Sequence, residues 1–207
     1  MPRIAEARAA AAPSSRNQIA RRERIIAAAA ELGARHGFDA VQMHDVAKDA
    51  GVAIATLYRY FPSKTHLFTA VFHAEIRAYS ETRRPAEGGD PVEETADFLV
   101  GLSGHLLLRP SLAAAMLQAA TATHNAATIA EAELSRSLLG GIVLRTLGVE
   151  HPTDRDVSVA RLLLYCWWGC LVATLNGQMT ASGAEADVRL GARLILAPYF
   201  SRPGAAR

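Results

Sequence analysis

The chain has 207 residues, half of them apolar, and a formal net charge of +2. That length and apolar share can fill a small domain plus a larger helical one, and they exclude a chain disordered from end to end. The near-neutral total hides a reversal at Arg84: residues 1–84 carry 13 Lys and Arg against 8 Asp and Glu, a balance of +5, whereas residues 85–207 carry 9 against 12, a balance of −3. A basic front and an acidic rear suit a molecule that meets a polyanion with one end.

The two cysteines, Cys166 and Cys170, lie four apart in an apolar stretch with no histidine nearby. That setting suits neither a zinc site nor a long-loop disulfide, so both read as small buried side chains, and no metal or cofactor is expected. The most apolar run, Leu162 to Leu175, is shorter than the ~20 residues that span a bilayer. Met1–Pro13 lacks the apolar core of a signal peptide. A cytoplasmic protein without membrane contact is expected.

In chain order, residues 1–16 are rich in Ala, Arg, Pro and Ser without sustained periodicity, which predicts a disordered basic arm. Its Arg3, Arg8 and Arg16 suit a solubilising tail and a minor-groove or phosphate contact equally well. From Asn17 onward, Ile19, Ile25, Ile26, Ala29, Ala30 and Leu32 recur at helical spacing until Gly37 stops the helix. Gln42–Asp49 reads as a short second helix with Val46 and Ala47 inward, and Gly51 permits the tight turn before a third helix over Ala53–Tyr60. Phe61-Pro62-Ser63 breaks the chain, and Ser63 is placed to cap a long fourth helix carrying Leu67, Phe68, Val71, Phe72 and Ile76. Pro85–Pro91, with Gly88 and Gly89, is the clearest internal break. Beyond it, helices are predicted over Glu93–Leu108, Ser111–Thr123, Ala127–Leu147, Arg155–Gln178 and Ala184–Ala197. Nothing alternates in strand fashion for long, and the class is all-α.

The third helix has the chemistry of a DNA reader. Small residues at Ala53 and Ala55 let a backbone approach base edges, and Thr56 can reach a base or a phosphate. Tyr58 and Tyr60 pair apolar rings with hydroxyls suited to phosphate oxygens, and Lys64 adds a charge beside a helix N-terminus. The run from Asp45 to Lys64, with Gly51 at its turn, Leu57-Tyr58-Arg59-Tyr60-Phe61 closing the third helix and Lys64 after Pro62-Ser63, resembles the TetR family of repressors. The close match continues to Leu67 and Phe68 and covers about a quarter of the chain. The resemblance implies DNA contacts at Met43, His44, Ile54, Ala55, Thr56, Tyr58, Arg59, Tyr60 and Lys64, while Val46, Val52, Leu57 and Phe61 join the three helices. Gln42 and Ala53 depart from the family's usual Thr and Ser, and each removes a hydroxyl cap worth ~1 kcal/mol.

The fold expected from this resemblance has an N-terminal three-helix helix-turn-helix domain, residues 17–62, joined by the long fourth helix to a C-terminal helical ligand-binding and dimerisation domain, residues 63–200, with a disordered tail at 201–207. The family implies a homodimer on a pseudo-palindromic double-stranded DNA operator and a small apolar effector held among the middle helices. Leu162–Val172 is apolar on every side and must be buried all round. Trp168 and Val172 fit a partner-facing or an interior position equally, and Leu190 and Leu194 give the last helix a stripe that could complete a four-helix seam. Leu99, Leu102, His105, Leu106, Met116, Leu117, Ala120, Tyr165 and Trp168 suit the lining of an effector site, and equally an ordinary core. Shorter matches at Phe38–Met43, Leu57–Lys64, Arg109–Met116 and Val159–Arg161 with Trp168 resemble actinobacterial members of the family that control sterol catabolism. They imply a steroid coenzyme A thioester as effector, with a fatty acyl thioester close in chemistry. No nucleophile, base and orienting group, phosphate-cradling glycine loop or metal spacing marks an enzyme. A constitutive DNA-binding regulator without an effector fits the motif as well.

Overall fold

A computed structural model describes residues 15–83, 89–124 and 138–200. Residues 1–14 of the expected arm, most of the Pro85–Pro91 break, the first half of the Ala127–Leu147 helix and the tail lie outside them, whereas Ser15 and Arg16, expected in the arm, begin the first helix. Nine α-helices and no strand occur among the described residues.

Helix α1, Arg16–Ala40, starts at Ser15, whose hydroxyl accepts from the Gln18 amide. Its helical path breaks at Gly37 (φ 72°), a conformation that glycine adopts without a Cβ clash. Helices α2, Met43–Asp49, and α3, Ile54–Tyr60, flank a turn in which Gly51 also has positive φ. The Val52 amide donates to the Ala47 carbonyl across that turn. Neither Gln42 nor Ala53 supplies a side-chain cap, as the missing hydroxyls lead one to expect. Helix α4, Lys64–Thr82, is capped as expected by Ser63, which accepts from the His66 amide at 3.2 Å.

Then follow α5 (Pro91–Leu107), α6 (Pro110–His124), α7 (Leu138–Thr146), α8 (Asp154–Leu175) and α9 (Ala181–Phe200). Helix α9 begins three residues before its expected start because the Thr180 hydroxyl accepts from the Gly183 amide and brings Ala181 to Gly183 into the first turn. Helix α8 opens with a capping box in which Thr153 and Asp156 satisfy each other's amides. At 22 residues it is long and apolar enough to cross a membrane by length and composition. The expectation drawn from the shorter Leu162–Leu175 run is corrected on that point, since the helix starts eight residues earlier.

The described residues pack as two compact units. In the first, 15–75 with 109–124, Ile25, Val46, Leu57, Leu67 and Phe68 are fully buried, and the Phe38 ring meets Phe68 edge-on at 5.3 Å. Helix α6 lies along α1: a Cβ at Gly33 would stand 2.6 Å from a Phe68 ring carbon and 3.1 Å from a Leu112 methyl. Arg109 donates to the Ala30 carbonyl and pairs with Glu31 at 2.7 Å, and Gln118 donates to Asp39. In the second unit, 76–83, 89–108 and 138–200, Trp167 is buried with its ring N–H donating to the Leu99 carbonyl at 3.0 Å and the Ser103 hydroxyl at 2.8 Å. Helix α9 crosses α8 where Gly191 makes room for Cys166, and it is tied to α5 by Arg189–Asp97 and Arg193–Glu93. Burial and the neighbouring Cys166 push the Cys170 thiol up from its usual range, which keeps it protonated and inert.

Candidate DNA-binding interface

Seven residues make two turns of α3, and the 100° step between them sorts their roles. Leu57 and Tyr60, three apart, are buried, whereas Ala55, Tyr58 and Arg59 project outward with Ile54 and Thr56 half-buried beside them. Tyr58 is 48% exposed. On α2, His44 is exposed and Met43 half-buried. Met43, His44, Ile54, Ala55, Thr56, Tyr58 and Arg59 are therefore accessible on the first unit, and the backbone at Ala55 can approach a base edge.

Two of the expected contacts are placed differently. Tyr60 is only 4% exposed; its ring packs 6.5 Å from that of Phe61 and carries the Arg59 guanidinium 5.5 Å above it. The ring thus supports Arg59. Lys64 turns its ammonium inward to the carbonyls of Phe38, Asp39 and Val41. No residue type signals this, because the acceptors are backbone atoms. Arg22, one turn before the core of α1, lies over the Phe61 ring at 5.2 Å and joins α1 to the end of α3. Its register with Ile25 and Ile26 was the available signal.

Of the expected effector residues, Leu99, Leu102 and Leu106 are buried on α5 in the second unit, with His105 half-buried 5.7 Å from the Tyr79 ring. Trp168 is half-buried on α8. Met116, Leu117 and Ala120 are buried in the first unit. Tyr165 is 52% exposed and, three residues from Leu162, shares that residue's outward side of α8. A recess of about 250 Å³ opens within the second unit between Val100, Leu107, Leu171 and Val188, and none of the expected effector residues lines it. On α8 and α9, Leu162, Tyr165, Leu190 and Leu194 are each more than half exposed, with Val172 half-buried on the same side. Among the described residues no group of three or more His, Cys, Asp or Glu could hold a metal ion.

A short helix projecting small, hydroxyl and cationic side chains from a three-helix head, followed by a helical second unit, defines a helix-turn-helix DNA-binding regulator. Residues 25–71 match the bacterial regulatory proteins of the tetR family, and residues 88–195 match the tetracyclin repressor-like C-terminal domain. The chain is 32% identical over 190 residues to the HTH-type transcriptional repressor KstR of Rhodococcus jostii strain RHA1, covering 92% of this chain and 89% of that one. A TetR transcriptional regulator from Rhodococcus sp. RHA1 is similar in structure, with a TM-score of 0.75, 40% identity and coverage of 87% of this chain and 97% of that chain. The Thermus thermophilus repressor FadR, in complex with lauroyl-CoA, shares the fold at a TM-score of 0.56 and 21% identity, covering 90% of this chain and 98% of that chain. The chain belongs to the TetR family of transcriptional regulators, whose members bind DNA and are not enzymes.

Proposed function

We propose that this regulator represses transcription in the cytoplasm as a homodimer on a pseudo-palindromic operator, and that an apolar coenzyme A thioester, steroid or fatty acyl, releases it. The observation that carries the DNA-binding reading is the outward stripe of Ala55, Tyr58 and Arg59 on a helix whose other side, Leu57 and Tyr60, is buried. One such helix contacts too few base pairs to be selective, so two copies are needed, and the exposed apolar side chains Leu162, Tyr165, Leu190 and Leu194 with Val172 are suited to join them. Similarity to KstR repressors over most of the chain and the lauroyl-CoA held by a protein of the same fold favour a thioester effector.

The test selects duplexes from a random pool with the full chain, then titrates steroid and fatty acyl thioesters against the preformed complex, with free coenzyme A as control. Release by a thioester and not by coenzyme A is the expected result. A ligand can do this only by preferring the free conformation; a hundredfold preference corresponds to about 2.7 kcal/mol. A complex that no thioester shifts favours a constitutive regulator, and failure to enrich any sequence overturns the DNA-binding reading itself.

A further inference from the structure

Three carbonyl oxygens converge on one ammonium at the base of the helix-turn-helix. Lys64, the first residue of α4, places Nζ 2.8 Å from the carbonyl of Phe38, 3.2 Å from that of Asp39 and 3.1 Å from that of Val41. The same nitrogen stands 4.6 Å from the centre of the Phe38 ring. An ammonium has three N–H donors and accepts nothing, so a carbonyl is present for each donor. These carbonyls need partners, because the helical path of α1 breaks at Gly37 and the last residues of a helix have no following amides to bond. A positive charge at that end is also favoured by the helix dipole.

The position of the contact in the chain gives it a further role. Val41 immediately precedes Gln42, the residue that opens α2, and Lys64 lies four residues beyond Tyr60, the end of α3. The ammonium therefore joins the chain entering the motif to the chain leaving it, closing a span of 23 residues. Both helices inside the span have seven residues and no side-chain cap, too short to persist without their surroundings. We infer that Lys64 is a positioning residue for DNA recognition, an internal staple that fixes how α2 and α3 present their outward side chains. A phosphate contact through Lys64 would withdraw one donor from a carbonyl and loosen the staple.

Lys64→Arg and Lys64→Met separate staple from phosphate contact. Arginine keeps the charge, yet its planar fork cannot converge on three carbonyls in the way an ammonium does. Full-length proteins are titrated with a duplex selected by the unmodified chain and with a scrambled duplex of equal length, over a range of salt concentrations. Amide exchange at residues 38–44 is followed in parallel. For Lys64→Arg the staple predicts faster exchange there and a fall of about tenfold in the ratio of selected to scrambled affinity. For Lys64→Met it predicts the same fall with the salt dependence on scrambled duplex unchanged. Three results overturn the inference: Lys64→Arg behaving as the unmodified chain; Lys64→Met reducing the salt slope by about 0.9 per subunit, as loss of a phosphate contact does; or both affinities falling by one common factor, as a smaller folded fraction produces. Where Lys64→Met fails to fold, the arginine variant decides alone.

Discussion

Gly33 is set by what lies opposite it. A Cβ there would enter the Phe68 ring, itself fully buried, and press on Leu112 of α6. Gly33→Ala is therefore expected to lower stability by about 1–3 kcal/mol through overpacking, against the helix-propensity gain of about 1 kcal/mol that alanine ordinarily brings to a helix interior. Urea unfolding measures the balance, and a variant more stable than the parent would show that Phe68 can yield. Trp167 poses the reverse case, since Trp167→Phe removes the N–H shared by Leu99 and Ser103 together with part of the ring system, leaving a void at a fully buried position. A loss of about 2–4 kcal/mol is expected in thermal or urea unfolding, most of it from the void, because Ser103 keeps a partner in its own bond to the Leu99 carbonyl.

Helix α9 is held to α5 by charge as well as by packing. Both carboxylate oxygens of Glu93 meet the Arg193 guanidinium, at 2.7 and 3.2 Å, and this hydrogen bonding holds the Glu93 carboxyl below its usual range. A group whose folded pKa is depressed contributes stability above its unfolded pKa and loses it as pH falls through the folded value. The stability difference between the parent and Arg193→Ala should thus be small at neutral pH, shrink in acid below the ordinary carboxylate range and shrink again in high salt, because the pair is exposed. Thermal unfolding across pH and salt checks this, and a difference that grows in acid would refute it. Several helix ends were legible because their signals are local: Ser63 as the cap of α4 and Gly37 after a run of apolar periodicity. The packing of α6 along α1 was not legible, because it rests on complementary shapes at Gly33, Phe68 and Leu112, seventy-nine residues apart in the analogous pairing of Gln118 with Asp39. In the same way the inward turn of Tyr60 follows from its spacing to Leu57, whereas the inward turn of Lys64 depends on where three carbonyls happen to point.

At the scale of the whole molecule, α8 and α9 leave four large apolar side chains, Leu162, Tyr165, Leu190 and Leu194, more than half exposed to water. On the proposed pairing, Leu162→Glu with Leu190→Glu leaves a monomer at micromolar concentration, read by light scattering, and reduces affinity for a selected palindrome by at least about a hundredfold, because one half-site is lost. Affinity per subunit for scrambled duplex should change little, since phosphates and not the pairing of subunits carry it. A variant that stays dimeric would move the partner surface elsewhere. The division of α3 into a buried side and an outward side has an evolutionary consequence. Leu57 and Tyr60 are buried and hold the helix in place, while Ala55, Tyr58 and Arg59 are exposed, with Arg59 lying over the Tyr60 ring. After a gene duplication, one copy can exchange those outward residues and be re-addressed to other promoters without first crossing an unfolded intermediate, so families of regulators can diversify on one unchanged scaffold.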